Sequence, residues 1–138
     1  MKKQFIIFKL GSEQFGLEIV YVDEIIKYKY CTKIPGIPNY VEGVIDLRKK
    51  IIPVINLKKK LNFRYQDRCE NNEIMIVNLE GKKIGFLIDT SSYIVTLDSD
   101  NINNTSNITT EIDEKLIKGI CKIHNKSIRL LDLEGLCY

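Results

Sequence analysis

The sequence contains few of the residues on which catalysis and metal binding depend. Its 138 residues include one histidine, His124, and four scattered cysteines with no Cys-x-x-Cys pair. Structural zinc sites use several cysteines or histidines at short spacings, so no metal site is expected. The chain also lacks a glycine-rich phosphate loop and a recognisable catalytic pair of carboxylates. We therefore expect no enzyme, no metal and no cofactor.

Long apolar runs and a strong charge imbalance are absent as well. No stretch approaches the roughly 20 apolar residues that cross a bilayer, and the apolar run after Met1 is interrupted at Lys9 and Gly11 with no cleavage site following. The net charge is only +3, far from the dense basic surface of a dedicated nucleic-acid binder. We expect a cytoplasmic globular protein with reduced thiols, no direct membrane insertion and no nucleic-acid partner.

The chain repeats part of its own pattern without gaps. One alignment, at a shift of 69, places 5–10 on 74–79 and 15–17 on 84–86; a second, at a shift of 76, places 41–44 on 117–120 and 52–57 on 128–133. Two copies are fewer than the three or so that a solenoid needs, so the pattern predicts a duplicated small unit. We expect one domain with a first half at about 1–68 and a second at about 69–138, strand exchange between the halves being possible.

Short strands dominate the expected secondary structure. Alternating apolar residues predict strands at 4–10, 14–18, 41–47, 51–57, 74–79, 83–88, 116–123 and 127–133. The spacing of Val22, Ile25 and Ile26 predicts a short amphipathic helix, and one helical turn is expected at 57–62. Polar segments at 64–72 and 98–110 read as a link and a long loop. The prediction is an all-β fold with a short helix, built as a pair of small five-stranded barrels.

Five blocks of sequence, in order along the chain, resemble the CheW family of bacterial chemotaxis adaptors. They read Phe-Gly-Leu-Glu-Ile at 15–19, Val-x-Glu-Ile-Ile at 22–26, Ile-Pro-x-x-Pro at 34–38, Val-Glu-Gly-Val-Ile-Asp-Leu-Arg at 41–48 and Ile-Pro-Val-Ile-Asn-Leu at 52–57. The similarity continues through Ile-Lys-Gly at 117–119 and Leu-Leu-Asp-Leu at 130–133. One departure is Lys49, since the family usually has glycine after this Leu-Arg pair.

The resemblance implies a fold, a function and a set of contact residues. The fold would be a pseudo-duplicated pair of SH3-like five-stranded β-barrels. The function would be that of a non-enzymatic scaffold that links chemoreceptor cytoplasmic tips to a CheA-type histidine kinase. By the same resemblance, receptor-binding residues are expected at Val22, Glu24, Ile34, Val41 and Arg48. The kinase would pack on barrel loops, including the second-half loop at Ile102.

Three other interpretations compete with the adaptor. A small barrel can bind single-stranded nucleic acid, but the lysines at 49–50 and 58–60 lack the interleaved aromatic residues that stack on bases. A Cys121–His124 pair could serve an enzyme, yet no third group to orient the base is evident. The chain could also be a regulatory piece of a larger kinase. The methionine at position 1 and the end after Tyr138 favour a stand-alone protein.

Overall fold

A computed structural model describes residues 1–63, 72–103 and 116–137. Within these ranges ten strands, two short α-helices and two 3-10 turns follow one another along the chain. The strands are β1 Lys2–Leu10, β2 Glu13–Glu18, β3 Val22–Lys27, β4 Val41–Leu47, β5 Lys50–Asn56, β6 Glu73–Leu79, β7 Lys82–Ile88, β8 Thr90–Asp98, β9 Ile117–Ile123 and β10 Lys126–Leu131. The helices are α1 Leu57–Lys60 and α2 Leu133–Cys137, and the 3-10 turns are Ile19–Tyr21 and Ser99–Asn101.

The strands form two five-stranded sheets, as an all-β duplicated fold predicts. Sheet A has the order β8-β1-β2-β10-β9, and sheet B has the order β3-β6-β7-β5-β4. Each sheet takes strands from both sides of residue 68, so the sheets do not coincide with the two sequence repeats. Each also contains one parallel pair, β2 with β10 and β5 with β7, where the two repeats meet.

Neither sheet is closed by a continuous ladder among the described residues. Instead, one isolated bridge joins the chain beyond each outer strand to the opposite edge of the same sheet. In sheet B the bridge pairs Thr32 with Val44, and in sheet A it pairs Asn103 with Ile120. Both bridges contain two backbone hydrogen bonds of 2.7–3.0 Å. The sheets therefore curl until their edges meet at one point.

The apolar side chains form three clusters, one inside the curl of each sheet and one between the sheets. Residues 5–8 of β1 are all buried and alternate between two of these clusters: Phe5 and Ile7 pack within sheet A, whereas Ile6 and Phe8 pack between the sheets. Phe8 stacks on Phe15 with ring centroids 6.2 Å apart. Truncating such a ring to alanine costs about 3–5 kcal/mol, so β1 is central to the stability of the fold.

The predicted helix at Val22 is wrong, because this segment is strand β3. A bulge between Val22 and Glu24 adds one residue to β3 opposite β6. As a result Val22 and Ile25, three positions apart, pack against the same cluster, and Ile26 packs against another. The extra residue of a β-bulge thus produces an apolar spacing that mimics a helix.

The predicted helical turn after β5 is confirmed as α1, and α2 occupies the equivalent place after β10. The Asn56 side chain caps α1 by accepting a hydrogen bond from the backbone N–H of Lys59 at 3.2 Å. Both helices in the described chain are far too short to cross a membrane. Residues 64–71 of the expected link and 104–110 of the expected long loop lie outside the described residues.

Candidate functional site

The two edges of sheet B meet along a seam. One side of the seam is β3 with the residues that follow it, and the other side is β4. The backbones of Thr32 and Val44 exchange two hydrogen bonds of 2.9 Å. Nearer the β4–β5 turn, the Lys29 ammonium group donates to the Asp46 carbonyl oxygen at 2.7 Å. Gly43 permits the backbone of Thr32 to approach β4 closely, because a Cβ atom on residue 43 would lie only 2.3 Å from the Thr32 carbonyl oxygen. We call this junction the sheet B seam.

Arg48 and Glu24 complete the seam with a two-point ion pair. Arg48 Nη1 donates to Glu24 Oε2, and Nη2 donates to Oε1 at 2.8 Å. The hydrogen bond from Arg48 lowers the pKa of Glu24, and the same bond raises the pKa of Arg48. The Arg48 side chain nevertheless stays 69% exposed. Because Glu24 occupies two of the five guanidinium N–H donors, three remain for a partner.

The β4–β5 turn fixes the position of Arg48. Leu47 and Lys50 form the last pair of the ladder, so Arg48 and Lys49 make a two-residue turn. Both turn residues have positive φ, 51° and 67°. This geometry matches the twist of the flanking strands, as in other tight hairpins. The guanidinium group is therefore held between a rigid turn and Glu24.

A small cleft lies at the other end of β4. Its volume is about 200 Å³, and the predicted residues Ile34 and Val41 line it together with Ile37 and Pro38. Ile34 is 44% exposed, so part of its apolar surface is available to a partner. Glu42 adds one acidic group to the wall and accepts a hydrogen bond from Asn56 Nδ2 at 2.7 Å. We call this the proline-loop cleft.

The structure therefore distributes the five predicted receptor residues along the seam and does not gather them in one pocket. Val22, Glu24 and Arg48 lie toward the β4–β5 turn, whereas Ile34 and Val41 lie at the opposite end. Val41 and Arg48 are about 23 Å apart along β4, at roughly 3.3 Å per residue. Val22 is half-buried and packs against the cluster between the sheets. The site is an elongated surface.

Ile102, the predicted kinase-contact residue, lies in sheet A beside the bridge from Asn103 to Ile120. Its side chain is half-buried and packs with the sheet A cluster. A Cβ atom on Gly119 would lie 2.4 Å from Ile102 Cγ2, so Ile102 fills the space that this glycine leaves. Its structural contacts are internal to sheet A, and its role toward a kinase stays a prediction.

The second repeat places different chemistry at the positions of Glu24 and Arg48. The equivalent residues are Tyr93 in β8 and His124 in the β9–β10 turn, where His124 has φ 51°. Burial raises the pKa of the nearby Cys121 thiol, which is opposite to the shift that activates a nucleophile. Among the described residues no group of three or more histidines, cysteines or carboxylates is placed to hold a metal ion.

Sequence reasoning missed the residues that build the seam. Lys29 and Thr32 carried no motif, and Asp46 was read only as part of the 41–48 block, because their contacts involve backbone atoms of segments that are distant in sequence. The one available signal was the coincidence of Gly43 and Gly119 in the second repeat alignment. Each of these glycines stands where the chain beyond an outer strand approaches the opposite edge of its sheet.

Comparison with known proteins identifies the family. Residues 4–138 match the family model described as the CheW-like domain. The chain is 31% identical over 137 residues to the chemotaxis protein CheW of Treponema pallidum, covering 96% of this chain and 81% of that protein. It is 28% identical over 134 residues to the chemotaxis protein CheW of Klebsiella aerogenes, covering 97% of this chain and 81% of that protein. The crystal structure of the scaffolding protein TtCheW from Thermoanaerobacter tengcongensis matches with a TM-score of 0.90 at 37% identity, covering 99% of this chain and 92% of that one. The chain is therefore a member of the CheW family of chemotaxis proteins.

Proposed function

We propose that this protein is a non-enzymatic scaffold of the cytoplasm that couples chemoreceptor tips to a CheA-type histidine kinase. Family membership supports the chemotaxis role, and each curled sheet with its bridging edge supports the description as an SH3-like barrel. The observation that carries the receptor side is the Arg48–Glu24 pair, a fixed and exposed guanidinium group at one end of the sheet B seam. Its three remaining donors suit carbonyl or carboxylate groups on a partner.

The length of the seam indicates how a receptor would bind. A helix rises about 1.5 Å per residue, so the roughly 23 Å from Val41 to Arg48 corresponds to about four helical turns. A receptor helix lying along the seam would place apolar side chains in the proline-loop cleft and polar groups against Arg48. This arrangement is a helix-in-groove mode of recognition. It uses all five residues expected from the sequence, with Val22 at the margin.

The kinase side is assigned to sheet A. We infer that the kinase packs on the loops of this sheet, near Ile102, which leaves the sheet B seam free for the receptor. Two partners on separate sheets can be held together without competing. The receptor can contact this protein differently in its two signalling states. The resulting difference in binding free energy is then the most by which the receptor can shift the activity equilibrium of the kinase.

Arg48→Glu tests the receptor assignment, with Lys49→Glu as the matched control. Both substitutions change the net charge equally and affect adjacent residues of one turn, but only Arg48 is bonded to Glu24. We expect Arg48→Glu to weaken binding of a receptor-tip fragment at least about tenfold, which is the effect of losing one charged contact of about 1.4 kcal/mol. Lys49→Glu should change binding by less than about threefold. Reversing both members, Glu24→Arg with Arg48→Glu, should restore the ion pair without restoring receptor binding.

A competition experiment tests the scaffold itself. A receptor-tip fragment is added to a preformed complex of this protein with the kinase regulatory domain, and the species are separated by size. A ternary complex is the expected result. Displacement of the kinase would show that the two sites overlap, and would overturn the separate-sheet assignment. Salt-sensitive binding of single-stranded oligonucleotides without binding of either protein would favour a nucleic-acid-binding barrel instead.

A further inference from the structure

A polar cleft opens between the β1–β2 turn and the start of β10, in sheet A. Its volume is about 360 Å³, which is within the range of small ligand sites. The parallel pairing of β2 with β10 begins at Gln14 and Ile128. Before that point the two chains diverge, toward the turn at Gly11 on one side and toward the β9–β10 turn on the other. The cleft occupies the gap, and we call it the turn cleft.

The turn cleft carries an excess of positive charge. Lys9, Lys126 and Arg129 line it, and Glu13 is the one acidic group among the described residues of its lining. Arg129 Nη1 donates to Glu13 Oε1 at 2.8 Å. The ammonium groups of Lys9 and Lys126 make no ion pair with any described residue, so two positive charges are left for an occupant. Ser12 and Ser127 add hydroxyl groups to the wall.

Two buried polar atoms on lining residues lack hydrogen-bond partners. One is Arg129 Nε, a donor, and the other is Gln14 Oε1, an acceptor. Most of the Arg129 side chain is buried: it is 18% exposed, and its Cζ atom lies 6.0 Å from the centroid of the Phe15 ring. An unsatisfied buried polar atom costs about 1–3 kcal/mol. Neither atom is in contact with solvent, so an occupant recovers this cost only by drawing the two groups toward the cleft and supplying one acceptor and one donor.

The residues of sheet B that are equivalent to the turn-cleft residues allow a comparison within the same protein. By the repeat alignment, Ser127 corresponds to Ile51 and Arg129 to Pro53, while Gln14 corresponds to Lys83. Lys83 is already paired with Asp23 at 3.3 Å. The shared architecture therefore does not by itself require a guanidinium group or hydroxyl groups at this place. The set of polar residues belongs to sheet A alone.

We propose that the turn cleft binds an acidic segment of a protein partner, with a carboxylate side chain held by Lys9, Lys126 and Arg129. A peptide offers both kinds of group that the cleft lacks: carboxylate or carbonyl oxygens for Arg129 Nε, and backbone N–H groups for Gln14 Oε1. A phosphate dianion offers mainly acceptors and brings twice the negative charge of a carboxylate toward Glu13. The site lies in sheet A and uses no residue of the sheet B seam, so it is independent of the receptor assignment.

The test uses amide chemical shifts of the full chain during titration with a blocked tetraglutamate peptide. Matched titrations use a blocked tetraglutamine peptide and inorganic phosphate at equal ionic strength. We expect tetraglutamate to shift the amides of Ser12, Gln14 and Ser127, and tetraglutamine to shift none of them. Lys126→Glu should reduce the affinity for tetraglutamate about tenfold. The control Lys50→Glu makes the same change at the equivalent position of the first repeat, and it should alter the affinity for tetraglutamate by less than about twofold.

Three results would overturn the proposal. Equal losses of tetraglutamate affinity in Lys126→Glu and Lys50→Glu would show that the peptide is attracted generally to a basic surface. Equal shifts from phosphate and tetraglutamate would show a site for small anions. Absence of any shift at the three amides would show that the cleft takes no acidic peptide. Because Arg48→Glu should bind tetraglutamate like the parent, failure of the receptor assignment and failure of this proposal are distinguishable.

Discussion

Substituting alanine for Gly43 should destabilise the protein by about 3 kcal/mol. Gly43 has φ +142°, and the added Cβ atom would lie 2.3 Å from the Thr32 carbonyl oxygen and 2.8 Å from its carbonyl carbon. A conformation disfavoured for residues with a Cβ costs roughly 1–2 kcal/mol. Forcing the opposing backbone to move adds roughly 1–3 kcal/mol. The clash is with backbone, so no change of rotamer can relieve it.

Gly119→Ala is the matched control for Gly43→Ala, because it stands at the same place in sheet A. Its added Cβ atom would meet the Ile102 side chain at 2.4 Å, and its φ is ordinary. The double variant Gly119→Ala with Ile102→Ala should therefore recover part of the loss, whereas no side-chain truncation should rescue Gly43→Ala.

Urea and thermal unfolding followed by circular dichroism measure both substitutions. A loss of 3 kcal/mol should lower the Tm by about 10 °C in a domain of this size. A loss below about 1 kcal/mol at Gly43 would refute the argument that the sheet B seam depends on close backbone contact. So would rescue of Gly43→Ala by truncation of a neighbouring side chain.

Two further substitutions test the turn at Lys49 and the carboxylate of Glu18. Lys49→Gly should stabilise the protein by about 0.5–1 kcal/mol in urea unfolding, since Lys49 has φ 67°. Asn125→Gly at the equivalent turn should increase the stability less, because asparagine tolerates this conformation. A decrease in stability on Lys49→Gly would contradict the reasoning. Burial alone would raise the pKa of Glu18, but its bonds to Lys118 and Lys3 outweigh burial and leave that pKa lowered. The resulting stability is present above the ordinary glutamate pKa of about 4.5 and is lost as the pH falls through the lower folded value. Both lysine partners are partly exposed, so Glu18→Gln should cost about 1 kcal/mol at neutral pH and progressively less in acid. A pH-independent cost would show that the carboxylate charge is not what stabilises the fold.

Eight of the ten strands were predictable because alternation is a local property, but β3 and β8 were missed, and the sheets that the strands form were not predictable. Residues 5–10 and 74–79 follow the same apolar pattern, and both are central or near-central strands. Alternation indicates which faces are apolar but not which strand lies alongside. The assignment of β8 and β10 to the same sheet as β1 and β2 rests on contacts between residues about a hundred positions apart, and β9 joins the sheet through its hairpin with β10.

The site was predictable in its members and unpredictable in its geometry. Glu24 and Arg48 were named separately, from a family resemblance, and their ion pair emerges only when the edges of sheet B meet. Val22 was assigned to a helix because the β3 bulge displaces the alternation by one residue. Ile102 was predicted as a kinase contact, which stays a prediction; its half-buried position in the space beside Gly119 could not be read from the sequence. The Glu24–Arg48 pair and the position of Ile102 depend on residues distant in sequence, whereas the Val22 error comes from a local bulge.

The order of strands has a consequence for synthesis on the ribosome. Sheet B is built entirely from consecutive strands, β3 through β7, so it can be completed while translation continues. Sheet A begins with β1 and β2 but requires β8, β9 and β10, the last strands to emerge. At roughly 5–20 residues per second, the 72 residues that separate Glu18 from Thr90 take about 4–14 seconds to add. Throughout that interval Phe5 and Ile7 of the first hairpin lack the partners that β8, β9 and β10 supply to the sheet A cluster. The nascent chain is therefore most vulnerable to aggregation, and most dependent on chaperones, at its own beginning.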